Sequence, residues 1–370
     1  MAGSLIALAL VAAWVLRPGP NLREGSDVVE TGSVRIASRT PDAYRIVYRT
    51  ESRAGGEVVV GTERLWVKRP FKARSESWTG APPGRKRTSV TINAFARINV
   101  GNSAFAIPPG PAPQDRRIER SLGEITHAGY LERRELRRVT GRLCRVYRAG
   151  GEGGSGSLER LSDDKTYTDL CFDAAGLVLE EVAYSDGKLL NRSVAVTVDE
   201  SPRVPDRLFR TGEPTLSARQ GGGSVRAAEP ASRPPGDFWE LSNVPRGFRH
   251  EGRYAVIPPQ SGFDDPTMRS GIIAFTSDVL VDGLDVVVVE QGSTLGGSPP
   301  FSADPNAKRV RAGALGRGEL LYGLRTSEVR VLRKGGKFVR VVGTVEPSRL
   351  LAIARSLEKR RGGELIYLDG

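Results

Sequence analysis

A run of strand-like segments between residues 141 and 190 constrains the fold of this chain more than any other feature. Residues 143–148, 167–172 and 177–184 are short stretches rich in apolar and aromatic residues, and they are separated by loops or turns that contain glycine. Such stretches, bounded by Gly, Asp and Ser, are typical of antiparallel strands. Cys144 and Cys171, the two cysteines of the chain, fall in the first two segments. The stretch therefore predicts a three-stranded meander with a cysteine on each of two neighbouring strands.

The preceding part of the chain continues this pattern. Residues 44–49, 57–68 and 71–78 predict three strands, and residues 90–100, with an apolar residue at every second position, predict one long strand. Residues 116–138 carry apolar residues at roughly helical spacing. We expect this helix to lie on the concave face of a curved sheet.

Composition divides the chain into two folded parts and a connection. Residues 211–236 contain a glycine run and four prolines but few apolar residues, so we predict a flexible linker there. The first domain then covers residues 40–210 and the second covers residues 237–361. The second contains further strand-like segments and a predicted helix over residues 348–361, with one apolar stripe formed by Leu350, Ile353, Ala354 and Leu357.

Residues 1–20 form a hydrophobic N-terminal segment, whose apolar part matches a signal-peptide core in length. The segment has neither a basic start nor a small-residue cleavage site, which favours an uncleaved signal-anchor that contacts the membrane through residues 4–16. A buried helix of the folded body is the alternative. We expect an extracytoplasmic protein, anchored to the cell membrane or, if the segment is cleaved, secreted.

The two cysteines allow two interpretations. They are either a disulfide between neighbouring strands or two buried free thiols. Export to an oxidising compartment favours the bridge between Cys144 and Cys171. Closing a loop of that length would stabilise the fold by about 3 to 4 kcal/mol in the chain-entropy model.

The net charge of +12 is compatible with nucleic acid, with an anionic membrane, or with a plain solvated surface. Lysine and arginine are spread along the whole chain, without the aromatic-interleaved basic motif of nucleic-acid readers. We expect no nucleic-acid partner. Attraction to acidic lipid headgroups and a solvated basic surface both remain open.

A search for catalytic or metal-binding patterns indicates a protein that is not an enzyme and has no cofactor. His127 and His250 are far apart in sequence and do not have the spacing of metal ligands. The acidic pairs at residues 163–164 and 264–265 lie in turn-like segments, where solvated carboxylates are expected. The glycine-rich residues 313–318 lack the Lys-Ser/Thr pair of a phosphate-binding loop, so we predict a hairpin loop.

Several motifs resemble two known families. Residues 61–70 with Arg74, and residues 167–177, resemble strand segments of lipoprotein carriers of the LolA/LolB type. Residues 244–248, 281–283, 342–345 and 350–357 are similar to the C-terminal domain of MucB/RseB-type sigma-factor regulatory proteins. That family joins a LolA-like domain to a smaller domain of sheet and helix, in the order found here.

The resemblance implies an α+β fold with two parts. The first is an open, strongly curved antiparallel sheet, a half-barrel wrapped on helix. The second is a smaller antiparallel sheet with a C-terminal helix. It also implies binding rather than catalysis: a lipid- or lipoprotein-binding carrier that accepts acyl chains in its concave face or, alternatively, an envelope-stress regulator that binds an anti-sigma factor or another membrane protein without carrying lipid.

Large aromatic residues in successive predicted strands are the candidates for such a ligand cavity. An open sheet that carries several of them on one face must cover them with a helix or bind an apolar ligand. Plain core is the alternative interpretation. The candidate cavity residues are Trp66, Trp78, Phe95, Phe105 and Tyr147.

Overall fold

The fold is built almost entirely from antiparallel sheet. The computed structural model describes residues 26–29, 34–36, 41–54, 57–69, 72–79, 86–92, 95–100, 103–107, 121–150, 158, 165–210, 216–217, 224–227, 237–257, 272–294, 301 and 304–361. These residues contain two helices, α1 (Leu122–His127) and α2 (Pro347–Arg355). The predicted N-terminal segment, residues 1–20, lies outside the described residues.

The first sheet has thirteen strands in the order β1-β8-β9-β10-β11-β12-β2-β3-β4-β5-β6-β7-β13, and it is open because its two ends do not pair. All adjacent strands of this sheet pair antiparallel except β13 and β7, which pair parallel. The strands are β1 (Ser26–Val29), β2 (Ala43–Ala54), β3 (Glu57–Lys68), β4 (Lys72–Thr79), β5 (Lys86–Ile92), β6 (Phe95–Val100), β7 (Ser103–Ile107), β8 (Leu131–Val139), β9 (Arg142–Gly150), β10 (Tyr167–Asp173), β11 (Val178–Ser185), β12 (Lys188–Asp199) and β13 (Leu216–Ser217).

This sheet curves strongly where β8 to β12 follow one another. Cα atoms of β8 and β12 approach within 8 Å although β9, β10 and β11 lie between them in the sheet order. The predicted curvature is therefore present, but the helix that should fill the concave face is much shorter than expected.

The second sheet has eight strands in the order β14-β16-β17-β18-β22-β21-β20-β19, and a two-stranded sheet accompanies it. Its strands are β14 (Ser224–Ala227), β16 (Arg249–Ile257), β17 (Ile272–Asp282), β18 (Asp285–Thr294), β19 (Lys308–Arg311), β20 (Arg317–Leu321), β21 (Ser327–Leu332) and β22 (Lys337–Gly343). The small sheet pairs β15 (Asp237–Leu241) with β23 (Leu357–Arg361). Strands β13 and β14 both fall inside the predicted linker.

The helix predicted over residues 116–138 is wrong beyond His127. Helix α1 ends there, and Gly129 follows with a φ of +81°. The amides of Gly129 and Tyr130 donate to the carbonyls of Thr126 and Ile125, which is the Schellman arrangement of a helix C-terminus. The chain then reverses direction and forms β8, which pairs with β9.

Two other predicted elements are divided in the structure. Residues 90–100 form β5 and β6 instead of one strand, with Ile92 opposite Phe95. The alternation of apolar residues continues in the sequence across residues 93 and 94, so the pattern does not reveal the reversal between β5 and β6. The helix predicted over 348–361 ends at Arg355, because the residues from Leu357 onwards pair with β15 as strand β23.

Candidate functional site: the curved sheet and the domain junction

The disulfide joins Cys144 on β9 to Cys171 on β10, with Cα atoms 5.4 Å apart. The strands are antiparallel, and Cys171 lies opposite Val146 while Cys144 lies opposite Asp173, so the bridge runs diagonally between them. Both cysteines are fully buried. We call the side of the first sheet that carries Cys144, Val146 and Cys171 the inner face.

Side chains from the other arm of the curved sheet fill this part of the inner face. Tyr48 from β2 and Leu65 and Val67 from β3 belong to the same apolar cluster as the disulfide. Tyr48 is 0% exposed, and its hydroxyl donates to the carbonyl of Val178 at 2.8 Å. Leu284, from the turn between β17 and β18 of the second sheet, joins the cluster. These residues form a packed core.

A network of ion pairs continues the inner face beyond the disulfide. Arg148 on β9 binds both carboxylate oxygens of Asp169 on β10, at 2.8 and 2.9 Å. Glu180 on β11 is 1% exposed and accepts from Arg137 at 3.1 Å and from Arg192 at 2.6 Å. The hydrogen bonds to Asp169 raise the pKa of the Arg148 guanidinium above its ordinary value, so the guanidinium keeps its charge.

This network makes one end of the inner face polar. Buried ionic groups are tolerated when their hydrogen-bonding positions are satisfied, and breaking one partner leaves an uncompensated charge. The network therefore links β8 through β12 by hydrogen-bonded ion pairs, and an acyl chain could not supply these hydrogen bonds.

Trp66 and Trp78 lie on the opposite side of the sheet. On β3, the side chains of Leu65 and Val67 point to the inner face. Trp66 lies between them in the sequence, so its side chain points to the opposite face. Trp78 on β4 pairs with Thr62, an even-numbered position like Trp66, so the two indoles share the other face of β3 and β4. We call this side of β2 to β5 the outer face.

Trp66 on the outer face anchors the segment that follows β12. Leu208, Phe209 and Val204 pack in one cluster with Trp66 and Val90. The guanidinium of Arg74, opposite Trp66, donates to the carbonyl of Leu208 at 2.5 Å. This contact surface is internal packing of the protein.

The remaining candidate cavity residues lie elsewhere. Tyr147 packs edge-to-face on Phe172, with ring centres 5.9 Å apart, against the core that surrounds α1. Phe95 and Phe105 belong to β6 and β7, but their side chains lie outside the described residues. The structure therefore does not bring Trp66, Trp78 and Tyr147 to one place, and a cavity formed with Phe95 and Phe105 stays a prediction.

The two predicted domains share a core at their junction. The ring of Tyr130, which follows α1, packs in a tilted arrangement against Tyr322 of the second domain, with ring centres 4.8 Å apart. The amide of Leu158 donates to the carbonyl of Tyr322 at 2.6 Å. Buried residues of both domains form one continuous cluster here, which includes Leu122 and Ile125 from α1 and Leu350 and Ile353 from α2.

Polar contacts complete the junction. The carboxylate of Glu124 on α1 accepts hydrogen bonds from the amide and the hydroxyl of Ser348, at 2.9 and 2.5 Å, and so caps the start of α2 from the other domain. Arg325 donates to both carboxylate oxygens of Glu181 on β11 at 3.3 Å. Residues from both domains thus fix the second domain against the first.

The described residues contain no group of three or more His, Cys, Asp and Glu side chains that could hold a metal ion. His250 contacts Asp278 at 3.2 Å, and residues Gly313–Leu315 form a short 3-10 turn between β19 and β20, as the predicted hairpin loop requires. The acidic pairs at 163–164 and 264–265 lie outside the described residues. No helix in the described ranges is both long and apolar enough to cross a membrane.

Comparison with known proteins gives similarities of fold. No protein-family model matches the chain, and no curated protein matches it. Among solved structures, MucB is 15% identical, with 86% of this chain and 93% of that chain covered and a TM-score of 0.34. The MucA/MucB complex of Pseudomonas aeruginosa gives 16% identity, 87% and 94% coverage and a TM-score of 0.33.

A second group of solved structures covers about half of the chain. A LolA superfamily protein from Nitrosomonas europaea is 10% identical, covering 47% of this chain and 92% of that chain, with a TM-score of 0.23. These similarities to MucB and to LolA-superfamily proteins are the two that the sequence motifs indicated.

The ion network was not found from the sequence, although a signal for it exists. Asp169 lies two residues before Cys171, and Arg148 lies four residues after Cys144, so each shares a face with a cysteine in a regular strand. A charged residue on the same strand face as a buried cysteine must find an opposite charge. The even spacing between each charged residue and its cysteine could therefore have identified the pair.

Proposed function

We propose that this chain is a non-enzymatic binding protein that works outside the cytoplasm and recognises a membrane regulatory protein. One observation carries this proposal: the inner face around the disulfide is already filled by Tyr48, Leu65, Val67 and the ion network. An acyl chain would have to displace packed side chains there, so recognition through the outer surfaces of a fixed two-domain body is favoured.

Two further features support the proposal. A buried disulfide is typical of proteins that fold in an oxidising compartment. The motifs at residues 244–248 and 350–357, which resemble the C-terminal domain of sigma-factor regulators, lie in the second domain next to the junction. A partner that contacts both domains would meet a surface that the shared core holds in place.

The test is photo-crosslinking from the second domain in intact cell envelopes. A crosslinking residue is placed at exposed Leu332, and a matched one at exposed Val196 on β12 of the first domain. We expect one membrane protein to be captured from the second-domain position, and its purified extracytoplasmic part to bind the full chain directly. Absence of direct binding by the captured protein would reject the proposal.

Acyl-chain carriage is the second candidate function, because strands β5 to β7 extend the sheet past the filled cluster. If it is correct, delipidated protein takes up a fluorescent fatty acid in a saturable way. Phe105 occupies a register position on the side of Leu65, so Phe105→Ala should then weaken uptake. Trp66→Ala, on the outer face, should leave the affinity unchanged. Lack of saturable uptake by the folded wild-type chain excludes lipid carriage.

A further inference from the structure

We propose that the outer face of β2 to β5, outside the part around Trp66 that the segment after β12 covers, docks on an anionic phospholipid surface. This goes beyond the proposed recognition of a regulatory protein and does not depend on it. The proposal stands on the charge of this face, on an indole held between cations, and on exposed valines in the same plane.

The outer face is strongly basic because successive strands place cations at register positions that share one side. The cations are Arg45 and Arg53 on β2, Arg64 on β3, Arg74 on β4 and Lys86 on β5, and two acids, Glu51 and Glu76, share their side. Arg74 lies under the segment that follows β12, so it does not contribute to the exposed part of this face. Glu76 is nearly buried and is bound by Arg74 at 2.5 Å and Lys86 at 3.2 Å. The charge that remains toward solvent is therefore positive.

Trp78 stands among these cations. The Arg64 guanidinium lies 4.9 Å and the Lys86 ammonium 5.1 Å from the centre of its ring. The Lys86 side chain is 46% exposed, so its ammonium group remains accessible to an external phosphate. Tryptophan prefers the headgroup region of a bilayer, where one part of the ring is apolar and another is hydrated.

Apolar residues extend the face toward the end of β2 and the beginning of β3. Val58 and Val60 on β3 are 50% and 40% exposed, and Arg53 lies directly opposite Val58. A solvated basic face does not require exposed valines, whereas a membrane-contacting surface combines apolar area with electrostatic attraction to anionic lipids. Phosphate headgroups of a bilayer are the partner that fits both features at once.

The test uses the full chain mixed with lipid nanodiscs, one set of phosphatidylcholine alone and one of equal parts phosphatidylcholine and phosphatidylglycerol. The rate at which an acetylating reagent modifies Lys86 is measured by mass spectrometry, with exposed Lys308 on β19 as the internal reference. We expect anionic discs to slow acetylation of Lys86 but not of Lys308, and high salt to remove the protection.

Substitutions define which surface is responsible. Arg53→Gln with Arg64→Gln should raise the disc concentration needed for half-protection on the order of 25-fold, since each basic residue near an anionic surface changes affinity about fivefold. Arg309→Gln with Arg311→Gln removes the same charge from the exposed edge of the second sheet and should have no effect. Val58→Ser with Val60→Ser should weaken protection without a change in charge.

Three outcomes would overturn the proposal. Equal acetylation of Lys86 in both kinds of disc means that no anionic surface is recognised. Equal effects of the two arginine pairs mean that net charge alone acts. Protection by soluble polyphosphate that is as strong as by discs, and insensitive to the valine substitutions, assigns the face to a soluble polyanion.

Discussion

At the scale of single residues, buried polar groups in this protein are held by specific partners. Asp173 on β10 is 1% exposed; burial raises the pKa of its carboxyl group above the ordinary value, although the amide of Leu177 and the guanidinium of Arg142 act against this. Glu328 on β21 is also buried, but Arg340 and Arg330 outweigh the effect of burial and lower its pKa. Two cations act on Glu328, whereas Asp173 has one cation, Arg142, and the like charge of Glu200 nearby.

The disulfide is the residue-scale feature with the largest expected effect on stability. Replacing Cys144 and Cys171 together by serine should lower the free energy of unfolding by about 3 to 4 kcal/mol, because the bridge restricts a loop of nearly thirty residues in the unfolded chain. Urea unfolding of the oxidised proteins measures this.

The control is reduction. A reducing agent should shift the urea midpoint of the wild-type chain toward that of the double variant and should leave the variant unchanged. Equal midpoints for oxidised wild type and variant would contradict the expectation.

At the scale of elements, a glycine with positive φ or a strand available for pairing decides where a helix ends. The sequence places Gly123 and Gly129 six residues apart in one helix-like stretch, yet they have different roles. Gly123 lies inside α1, whereas Gly129 adopts a positive φ that reverses the chain into β8. Neither glycine has an atom within 4 Å of the position where a Cβ would stand.

This pair gives a matched test of backbone conformation. Gly129→Ala should lower the free energy of unfolding by about 1 to 2 kcal/mol, because an L-residue is strained in the left-handed region. Gly123→Ala should raise it by about 0.5 to 1 kcal/mol through helix propensity. Thermal unfolding of the two variants measures both, and shifts of the same sign would refute the assignment of the helix end.

At the scale of the whole molecule, the two domains form a single body. Helix α2 belongs to the second domain, but its first turn is capped by Glu124 from α1 and its apolar stripe lies in the core that both domains share. The two domains follow one another in the order of the two sequence resemblances. Their shared core is a feature that the predicted linker did not suggest.

The coupling predicts an effect that crosses the junction. Glu124→Ala should cost about 1 kcal/mol, the ordinary net contribution of such hydrogen bonds, and should accelerate hydrogen exchange of the Ser348 amide in α2. Glu132→Ala removes a carboxylate that is 49% exposed and pairs only locally with Arg134 among the contacts described, so it should leave that exchange rate unchanged. Unchanged exchange in the first variant would show that the domains are not coupled through this cap.

The sequence by itself determined the local elements of this protein. Alternating apolar residues and glycine turns predicted β2, β3, β4 and the cysteine-bearing strands, because period-two burial is a local property of a strand. Pro347 marked the start of α2 for an equally local reason, since its missing N–H costs nothing there.

Tertiary structure alone decided what each surface does. The sequence made Trp66 and Trp78 candidates for lining a ligand cavity, but the register of β3 and β4 places them on the outer face, away from the packed inner face. Leu357 looked like the last turn of a helix, but β15 was available as a pairing partner. Contacts between residues distant in sequence settle these choices, because a side chain's burial depends on which strand finally lies beside it.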